Sequence, residues 1–379
     1  MLKWAREWRG RTLEEAASRV GKNPEDIAEW ETKPGGPTVR QARSLAEFYD
    51  RQFLEFFRPS PPPVQEPKLV TDFRMHRDAP NPKETRELKI IQAWAEAQRE
   101  NAIDLFSEIG EQPPSIPDTL FSDSSTDPED ASERARRVLK FPFSEQTTGL
   151  PSSKRDQLPA IIRKKLEDVG ILTLKHSGLA QFHARGICIF ATPLPVIIFG
   201  NESPAAQAFT LAHELGHVAL RESGISGKRS KETSKIERWC DQFAAAFLMP
   251  RREIASILGN PPTPPLDEMS DDRLDDLASR FRVSPHAMVI RLVQLGYINA
   301  NFYWGVKKPL FDAIEAKYKS MGRPKYYGSR YRSSLGNLYT GLVIEAWNSG
   351  RITNHSAAEY MGIKNFEHLF DIRDNFTGS

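Results

Sequence analysis

Cysteine is scarce in this chain of 379 residues, which contains only Cys188 and Cys240. Two cysteines exclude a disulfide framework and suit a reducing compartment. Long apolar runs are also missing, because stretches such as 196–199 fall far short of the roughly 20 residues that cross a membrane. The first nine residues lack the apolar core of a signal peptide. We therefore expect a cytoplasmic protein that has no membrane partner.

Charge of one sign is lacking as well, since 52 Lys and Arg residues face 50 Asp and Glu residues for a net charge of +2. Such a balance predicts no strong overall field. The chain is long enough, with 39% hydrophobic residues, to bury sizeable cores in two or three domains.

The apolar stretch 208–220 contains the pattern His-Glu-x-x-His at His213, Glu214 and His217. On a helix, positions i and i+4 lie on one face, so both histidines can present ring nitrogens to a single metal ion. Glu214 can then act as general base on the attacking water. A chance match has an expected frequency on the order of one per cent. The pattern indicates a zinc site.

A third ligand is expected beyond a polar loop from Arg221 to Lys235, at Glu237 on a second helix. Asp241 lies one turn further along the same face, where it could accept the second ring N–H of a ligating histidine. Cys240 could bind or oxidise near the zinc, but a small buried core residue is the simpler interpretation, and Cys188 is interpreted in the same way.

These residues resemble the ImmA/IrrE family of bacterial zinc metallopeptidases. The motifs that carry the resemblance are Phe209-Thr210-Leu211-Ala212-His213-Glu214-Leu215-Gly216-His217, Glu237-x-x-x-Asp241, Leu248-Met249-Pro250, residues 166–171, Arg185-Gly186, residues 277–284 and residues 291–296. The resemblance implies a gluzincin-like domain with a small β-sheet, Zn2+ as cofactor, and a helix-turn-helix repressor as the protein substrate.

The resemblance also implies that an edge strand before the metal-binding helix holds the substrate as an added strand. The candidate strand is Pro195, Val196, Ile197, Ile198 and Phe199, although a plain core strand would have the same composition. His176, His183, Arg185 or a tyrosine could stabilise the oxyanion of the reaction, and the sequence does not distinguish among them.

Residues 1–58 resemble a helix-turn-helix domain of the Cro/repressor class, with helix starts at Thr12, Asn23-Pro24 and Thr38. The helix that would enter the major groove carries Glu25, Asp26, Glu29 and Glu31 and no Lys or Arg. Lys and Arg supply most of the affinity for DNA, so this helix is a poor reader of DNA. Both DNA binding and a protein-docking or dimerisation role remain open for this domain.

The rest of the chain divides into a proline-rich linker, helix and flexible loop (59–131), a peptidase domain with a trailing helix-turn-helix unit (132–300), and a basic helical module (301–379). The expected fold class is α+β and mostly helical. A possible contact with nucleic acid or a partner is a set of basic residues near the start of the last module: Lys307, Lys308, Lys317, Lys319, Arg323, Lys325, Arg330 and Arg332.

Two functions compete. The first is a cytoplasmic zinc endopeptidase that cleaves a helix-turn-helix repressor in a mobile-element or stress response, with its own repressor-like domain recognising the partner. The second is a DNA-binding regulator or antitoxin with a structural or sensory metal site. Glu214 favours the first, because a structural zinc site needs no general base.

Overall fold

A computed structural model describes residues 1–33, 35–49, 51, 53–60, 71–72, 82–147, 157–182, 184–227, 235–315, 327–363 and 365–377. The chain forms two compact units. The first unit comprises Met1–Lys68 and Pro80–Lys89, and the second comprises Leu69–Ala79 and Ile90–Ser379.

The first unit is a small helical bundle. Thr12 and Thr38 cap their helices by accepting hydrogen bonds from the backbone N–H groups of Glu15 and Gln41. Its core includes Ile27. The predicted helix-turn-helix bundle is confirmed, with helices α1 Leu2–Arg9, α2 Leu13–Val20, α3 Pro24–Thr32 and α4 Val39–Phe48, followed by a short 3₁₀ helix, Phe53–Phe57.

The second unit is mostly helical around one small sheet, which confirms the expected α+β class. Its helices up to the metal-binding motif are α5 Pro82–Ile109, of which residues 90–109 belong to this unit, α6 Pro128–Val138, α7 Phe143–Thr147, α8 Leu158–Asp168 and α9 Pro204–Leu220. The later helices are α10 Lys235–Leu248, α11 Arg251–Leu258, α12 Asp271–Phe281, α13 Pro285–Gln294, α14 Ala300–Phe302, α15 Lys308–Glu315, α16 Tyr327–Asn348, α17 Asn354–Tyr360 and α18 Glu367–Thr377. A π-helical turn, Tyr303–Lys307, joins α14 to α15.

The sheet has five strands in the order β1-β5-β3-β4-β2. The strands are β1 Thr71–Asp72, β2 Leu172–Lys175, β3 Ala184–Ile189, β4 Val196–Phe199 and β5 Gly224–Gly227. Strand β3 runs antiparallel to both of its neighbours, and the pairs β2–β4 and β1–β5 are parallel. The sheet is therefore mixed, with β1 and β2 at its two edges.

The prediction that Pro195–Phe199 forms an edge strand for substrate is wrong. Strand β4 pairs with β2 on one side and β3 on the other, so no backbone edge is left to accept a peptide. Its residues are at most 2% exposed because both faces of the strand are covered. The physical reason is that a fully apolar run marks a central strand, buried on both faces, as readily as a buried edge strand.

Two of the strands were not predicted from the sequence. Strand β5 lies inside the expected polar loop Arg221 to Lys235, and β1 lies inside the expected proline-rich linker. The expected flexible loop before α6 is anchored instead. Its Leu120 is fully buried, the N–H of Ser122 donates to the carbonyl of Ala219, and the carbonyl of Thr126 accepts from the indole of Trp239.

Within the described ranges, no helix combines the length and the apolar character that a membrane span requires.

Candidate metal centre

Helix α9 brings the His-Glu-x-x-His residues into the core of the second unit. The Ser203 hydroxyl caps the helix by accepting from the N–H of Ala206, and Pro204 occupies its first turn. Leu211, Ala212 and Leu215 are fully buried around the motif. Three ionisable side chains are buried among these apolar neighbours, namely His213, Glu214 and His217. Burying three ionisable groups so close together costs free energy unless they hydrogen-bond to one another or bind a ligand.

Helix α10 packs closely against α9 because Gly216 has no side chain. A methyl group added at Gly216 would lie 3.3 Å from the Cα, Cβ and Sγ atoms of Cys240. This contact fits the interpretation of Cys240 as a small residue of the helix interface. The close packing brings the first turn of α10, with Glu237, beside the histidines of α9.

Two histidine nitrogens converge on the carboxylate of Glu237. The Nε2 atom of His217 lies 2.9 Å from Oε1 of Glu237, and the Nε2 atom of His213 lies 3.3 Å from Oε2 of the same residue. The three residues are at most 6% exposed. Two imidazole nitrogens and one carboxylate oxygen are a donor set that suits Zn2+ and leaves a fourth position for a water molecule or substrate.

Asp241 lies behind the first histidine. Its Oδ1 atom is 3.2 Å from Nδ1 of His213, on the side of the ring opposite to Nε2. A carboxylate at this point fixes the tautomer that turns the free lone pair of Nε2 towards Glu237. Asp241 thus lies where the sequence analysis expects it.

The charged groups of this cluster shift one another's pKa values. Burial lowers the pKa of His213, but pairing with Asp241 and Glu237 outweighs that effect and raises the pKa to about 10. Burial raises the pKa of Glu237, but its contacts with His213 and His217 outweigh it and lower the pKa to about 2. For His217 burial dominates, so its pKa is lowered. The metal-free centre therefore holds an ion pair between protonated His213 and ionised Glu237.

Glu214 is fully buried next to these groups. Within the described part of the chain, neither of its carboxylate oxygens has a hydrogen bond of normal geometry. Burial raises the pKa of Glu214 to about 8, and the nearby charge of His213 opposes that rise. A buried carboxyl group with a pKa near neutrality is suited to accept and release a proton.

Gly186 on β3 makes room for this carboxyl group. A methyl group added at Gly186 would lie 2.2 Å from Oε1 of Glu214, so any side chain there would displace the carboxyl group. Arg185-Gly186 is one of the motifs that carry the family resemblance, which predicts no role for the glycine. The structure places Gly186 as the wall against which Glu214 lies.

Ser226 on β5 was not predicted. Its Oγ atom lies 3.3 Å from Nε2 of His217, the side chain is 4% exposed, and its hydroxyl lowers the pKa of Glu214. The sequence offered little signal, because the short segment Gly224–Gly227 shows no alternation of polar and apolar residues.

Cys240 is an alternative to Glu237 as the third metal ligand. The candidate ligand atoms of His213, His217 and Cys240 all lie within 4.8 Å of one another and are buried. Burial raises the pKa of the Cys240 thiol, which opposes formation of the thiolate that binds a metal. The shorter contacts of Glu237 with both histidines favour the carboxylate as the ligand.

The other predicted site residues lie in different environments. His176 accepts a hydrogen bond from the N–H of Gly178, and its ring lies 5.3 Å from that of Trp94 in a tilted arrangement. Arg185 pairs with Glu202 at 3.5 Å. His183 lies outside the described residues.

The structure differs most from the prediction at the set of basic residues from Lys307 to Arg332. Lys307 is 7% exposed and pairs with Asp271, so it cannot reach a nucleic acid, and its inclusion was wrong. Arg332 donates to Asn337 and lies over the ring of Phe376. Lys308 is half-buried and Arg330 is half-buried, and both interact with other groups of the chain. The remaining four residues, Lys317, Lys319, Arg323 and Lys325, lie outside the described residues.

In the first unit, the surface of α3 is acidic. Glu25 and Glu29 are exposed, and Glu31 accepts two hydrogen bonds, of 2.6 Å and 2.9 Å, from Arg6. Lys33, the residue that follows α3, pairs with Glu29 at 2.8 Å. A groove-binding helix with this charge would repel DNA phosphates.

Comparison with known families agrees with the division into two units. Residues 2–56 match the helix-turn-helix family model, and residues 166–293 match a peptidase family model described as the IrrE N-terminal-like domain. The second match covers about a third of the chain and contains the whole metal centre. A search of curated proteins found no match. The resemblance stated from the sequence motifs is confirmed at the level of the two families.

Proposed function

We propose, taking the match of residues 166–293 to a peptidase family as the premise, that the chain is a zinc-dependent endopeptidase. One observation carries the proposal. Ring nitrogens of His213 and His217 converge within 3.3 Å on the carboxylate of Glu237, while the buried carboxyl group of Glu214 lies beside them. A structural zinc site would be expected to close with a fourth protein ligand and would gain nothing from a buried general base.

The three ligating side chains would be His213, His217 and Glu237, with Asp241 orienting His213. A bound zinc ion would supply Lewis acidity, which polarises the scissile carbonyl group and lowers the pKa of water. His213 would have to lose its proton to hold the ion, because imidazole binds a metal only through an unprotonated nitrogen.

Glu214 would be the general base. It would take the proton from the attacking water and deliver it to the leaving amine. In the metal-free protein its pKa of about 8 keeps it largely protonated at neutral pH. A divalent cation held by its neighbours would lower that pKa, since an opposite charge favours the ionised form. Glu214 would therefore become ionised, and able to act as a base, when its neighbours hold the cation.

The substrate we propose is a helix-turn-helix repressor. Support comes from the chain's own helix-turn-helix unit, whose acidic α3 suits a protein partner better than DNA. Such cleavage would make the protein a regulatory protease of a mobile element or a stress response. A cytoplasmic location suits this role and suits two cysteines that are both free and buried.

The test compares newly formed protein N-termini in cells that express the wild-type chain or Glu214→Gln, with and without stress, by mass spectrometry. The variant keeps every proposed ligand and removes only the base. We expect a fragment of a helix-turn-helix protein that is present with the wild type and absent with the variant. Identical sets of N-termini under all conditions would contradict the proposed peptidase.

The alternative function is a DNA-binding regulator with a structural or sensory metal site, and the helix-turn-helix family match favours it. It predicts tight duplex binding that weakens steeply with salt. A gel-shift or anisotropy titration at two salt concentrations measures this. Tight, salt-sensitive binding together with an unchanged phenotype in Glu214→Gln would favour the regulator over the peptidase.

A further inference from the structure

Strand β5 joins the metal centre to an edge of the sheet. It begins four residues after the end of α9, and its Ser226 lies 3.3 Å from Nε2 of His217. On its inner side it pairs with β3, the strand that carries Gly186 against Glu214. A polypeptide added to the outer side of β5 would therefore run one strand away from the wall of the proposed active site.

The opposite edge of the sheet is covered. At β2, the guanidinium group of Arg163 donates to the carbonyl of Thr173 at 2.6 Å. Gly336 of α16 packs so closely that an added methyl group would lie 2.9 Å from the same carbonyl oxygen. The carboxylate of Glu167 accepts from the backbone N–H of Asn337, which holds α16 at this edge. Among the described strands, β5 is thus the one whose outer side can take up an extended chain near the metal centre.

That outer side is occupied by the chain itself. Strand β1 pairs with β5 in parallel, Thr71 opposite Gly224 and Asp72 opposite Ile225. The two residues come from the segment between the portions that match the helix-turn-helix and peptidase families. The pairing ends one residue before Ser226, the residue that contacts His217.

We propose that β1 is an inhibitory strand: Thr71–Asp72 occupies the backbone edge on which a substrate peptide would add to β5, so cleavage requires its displacement. The outer side of a strand presents N–H and C=O groups that bind an extended peptide with little regard to its side chains. Only one strand can pair with that side at a time. The substrate and β1 therefore compete, and this regulation rests on the proposed peptidase function.

The test weakens the pairing of β1 with β5 and leaves the proposed metal ligands unchanged. The double variant Thr71→Pro/Asp72→Pro removes the two backbone donors of the strand, and Thr71→Ala/Asp72→Ala, which keeps both donors, is the matched control. All proteins are full-length and zinc-loaded. Far-UV circular dichroism and zinc content establish that each variant is folded and loaded.

The first readout is binding, measured in the Glu214→Gln background so that no probe is cleaved. The probe is a fluorescein-labelled octapeptide of alternating Thr and Val, followed by anisotropy. We expect the proline variant to bind it about fivefold more tightly than the wild type, because one of the two lost N–H groups faces β5 and a backbone hydrogen bond is worth about that factor. The alanine variant should match the wild type. Amide hydrogen exchange of residues 224–227 should become faster in the proline variant alone.

Unchanged peptide affinity in a proline variant whose β5 amides exchange faster would overturn the inhibitory strand. Unchanged exchange would also overturn it, because β1 would then not be holding that edge. The second readout is cleavage of unfolded casein with Glu214 intact, where the proline variant should be severalfold faster. If peptide binding rises but no variant shows cleavage that depends on Glu214, the peptidase function fails and the competition for the edge of β5 stands.

Discussion

At the scale of single residues, Gly186 controls the position of Glu214. A Cβ atom at this position would lie 2.2 Å from Oε1 and 2.7 Å from the carboxyl carbon of Glu214. Real Cβ atoms do not approach other heavy atoms so closely, so the carboxyl group must move. The position of the proposed base therefore depends on the absence of a side chain on the neighbouring strand.

We expect Gly186→Ala to lower Glu214-dependent peptidase activity by at least about a hundredfold, since a displacement near 1 Å in a catalytic group has that effect. Initial rates on unfolded casein, at matched zinc content, measure it. Gly200→Ala is the control, because the nearest atom to a methyl group there is 3.6 Å away. Wild-type activity in Gly186→Ala would contradict the proposed position of the base.

The His213–Asp241 pair predicts how the stability of the metal-free protein depends on pH. The pKa of His213 is raised from 6.5 to about 10, so the stabilisation is complete below about pH 6.5 and is lost as the pH rises towards 10. Removal of the Asp241 charge should reduce this loss of stability, because the pKa of His213 would then be raised by a smaller amount. We expect the free energy of unfolding to fall less between pH 6.5 and pH 10 in Asp241→Asn than in its parent.

Urea titrations at the two pH values measure this difference. Both proteins should carry Glu214→Gln, so that the titration of that carboxyl group near pH 8 does not overlap. An equal loss of stability in both proteins would show that Asp241 does not hold the proton on His213.

At the scale of secondary structure elements, α10 presents two possible ligands one turn apart. Glu237 contacts both histidines, while Cys240 packs against Gly216. We expect Glu237→Gln to lower zinc affinity by more than the roughly hundredfold that loss of an outer partner can produce. Cys240→Ala should leave the affinity within severalfold. Competition with a chromophoric chelator measures both, and a larger loss in Cys240→Ala would assign the thiolate as the ligand.

The elements with a clear periodic or motif signal could be predicted from the sequence. Helix α9 carries a motif whose spacing fixes the face of its histidines, and the apolar runs of β2, β3 and β4 indicate strands. Asp241 follows from helical spacing after Glu237 in the same way. Local pattern was sufficient because each of these assignments depends on residues within one or two turns.

The remaining features depend on contacts between distant segments. Nothing local in Val196–Phe199 shows that strands pair on both of its sides, so its assignment as an edge strand failed. Strands β1 and β5 are short and have no alternation, and each becomes a strand by pairing with a distant segment: β5 with β3, and β1 with β5, from Thr71 to Gly224. Lys307 is typical of a surface residue by composition, yet its partner Asp271 is 36 residues away.

At the scale of the whole molecule, the proposed metal ligands all belong to the second compact unit. A ligand that binds only the folded state stabilises it by about 4 kcal/mol at a thousand times its Kd. We therefore expect zinc removal by a chelator to lower the melting temperature of one calorimetric transition and to leave a second transition, from the helix-turn-helix unit, in place.

Differential scanning calorimetry with and without chelator tests this. Glu214→Gln is the control and should show the same shift, because it retains the ligands. Equal shifts of every transition would mean that the two units unfold as one.

The buried ion pair of the metal-free centre has one more consequence, for metal uptake. With pKa values of about 10 and 8, His213 and Glu214 carry protons at neutral pH, and the proton on His213 must leave when its nitrogen binds a metal. At the proposed site, metal uptake would therefore exchange bound protons for the metal ion. Each released proton makes the apparent affinity rise about tenfold per pH unit, and the measured heat of binding then varies with the ionisation enthalpy of the buffer. An acidified cell would shift this protein towards its metal-free form, and recovery of its pH would load it again.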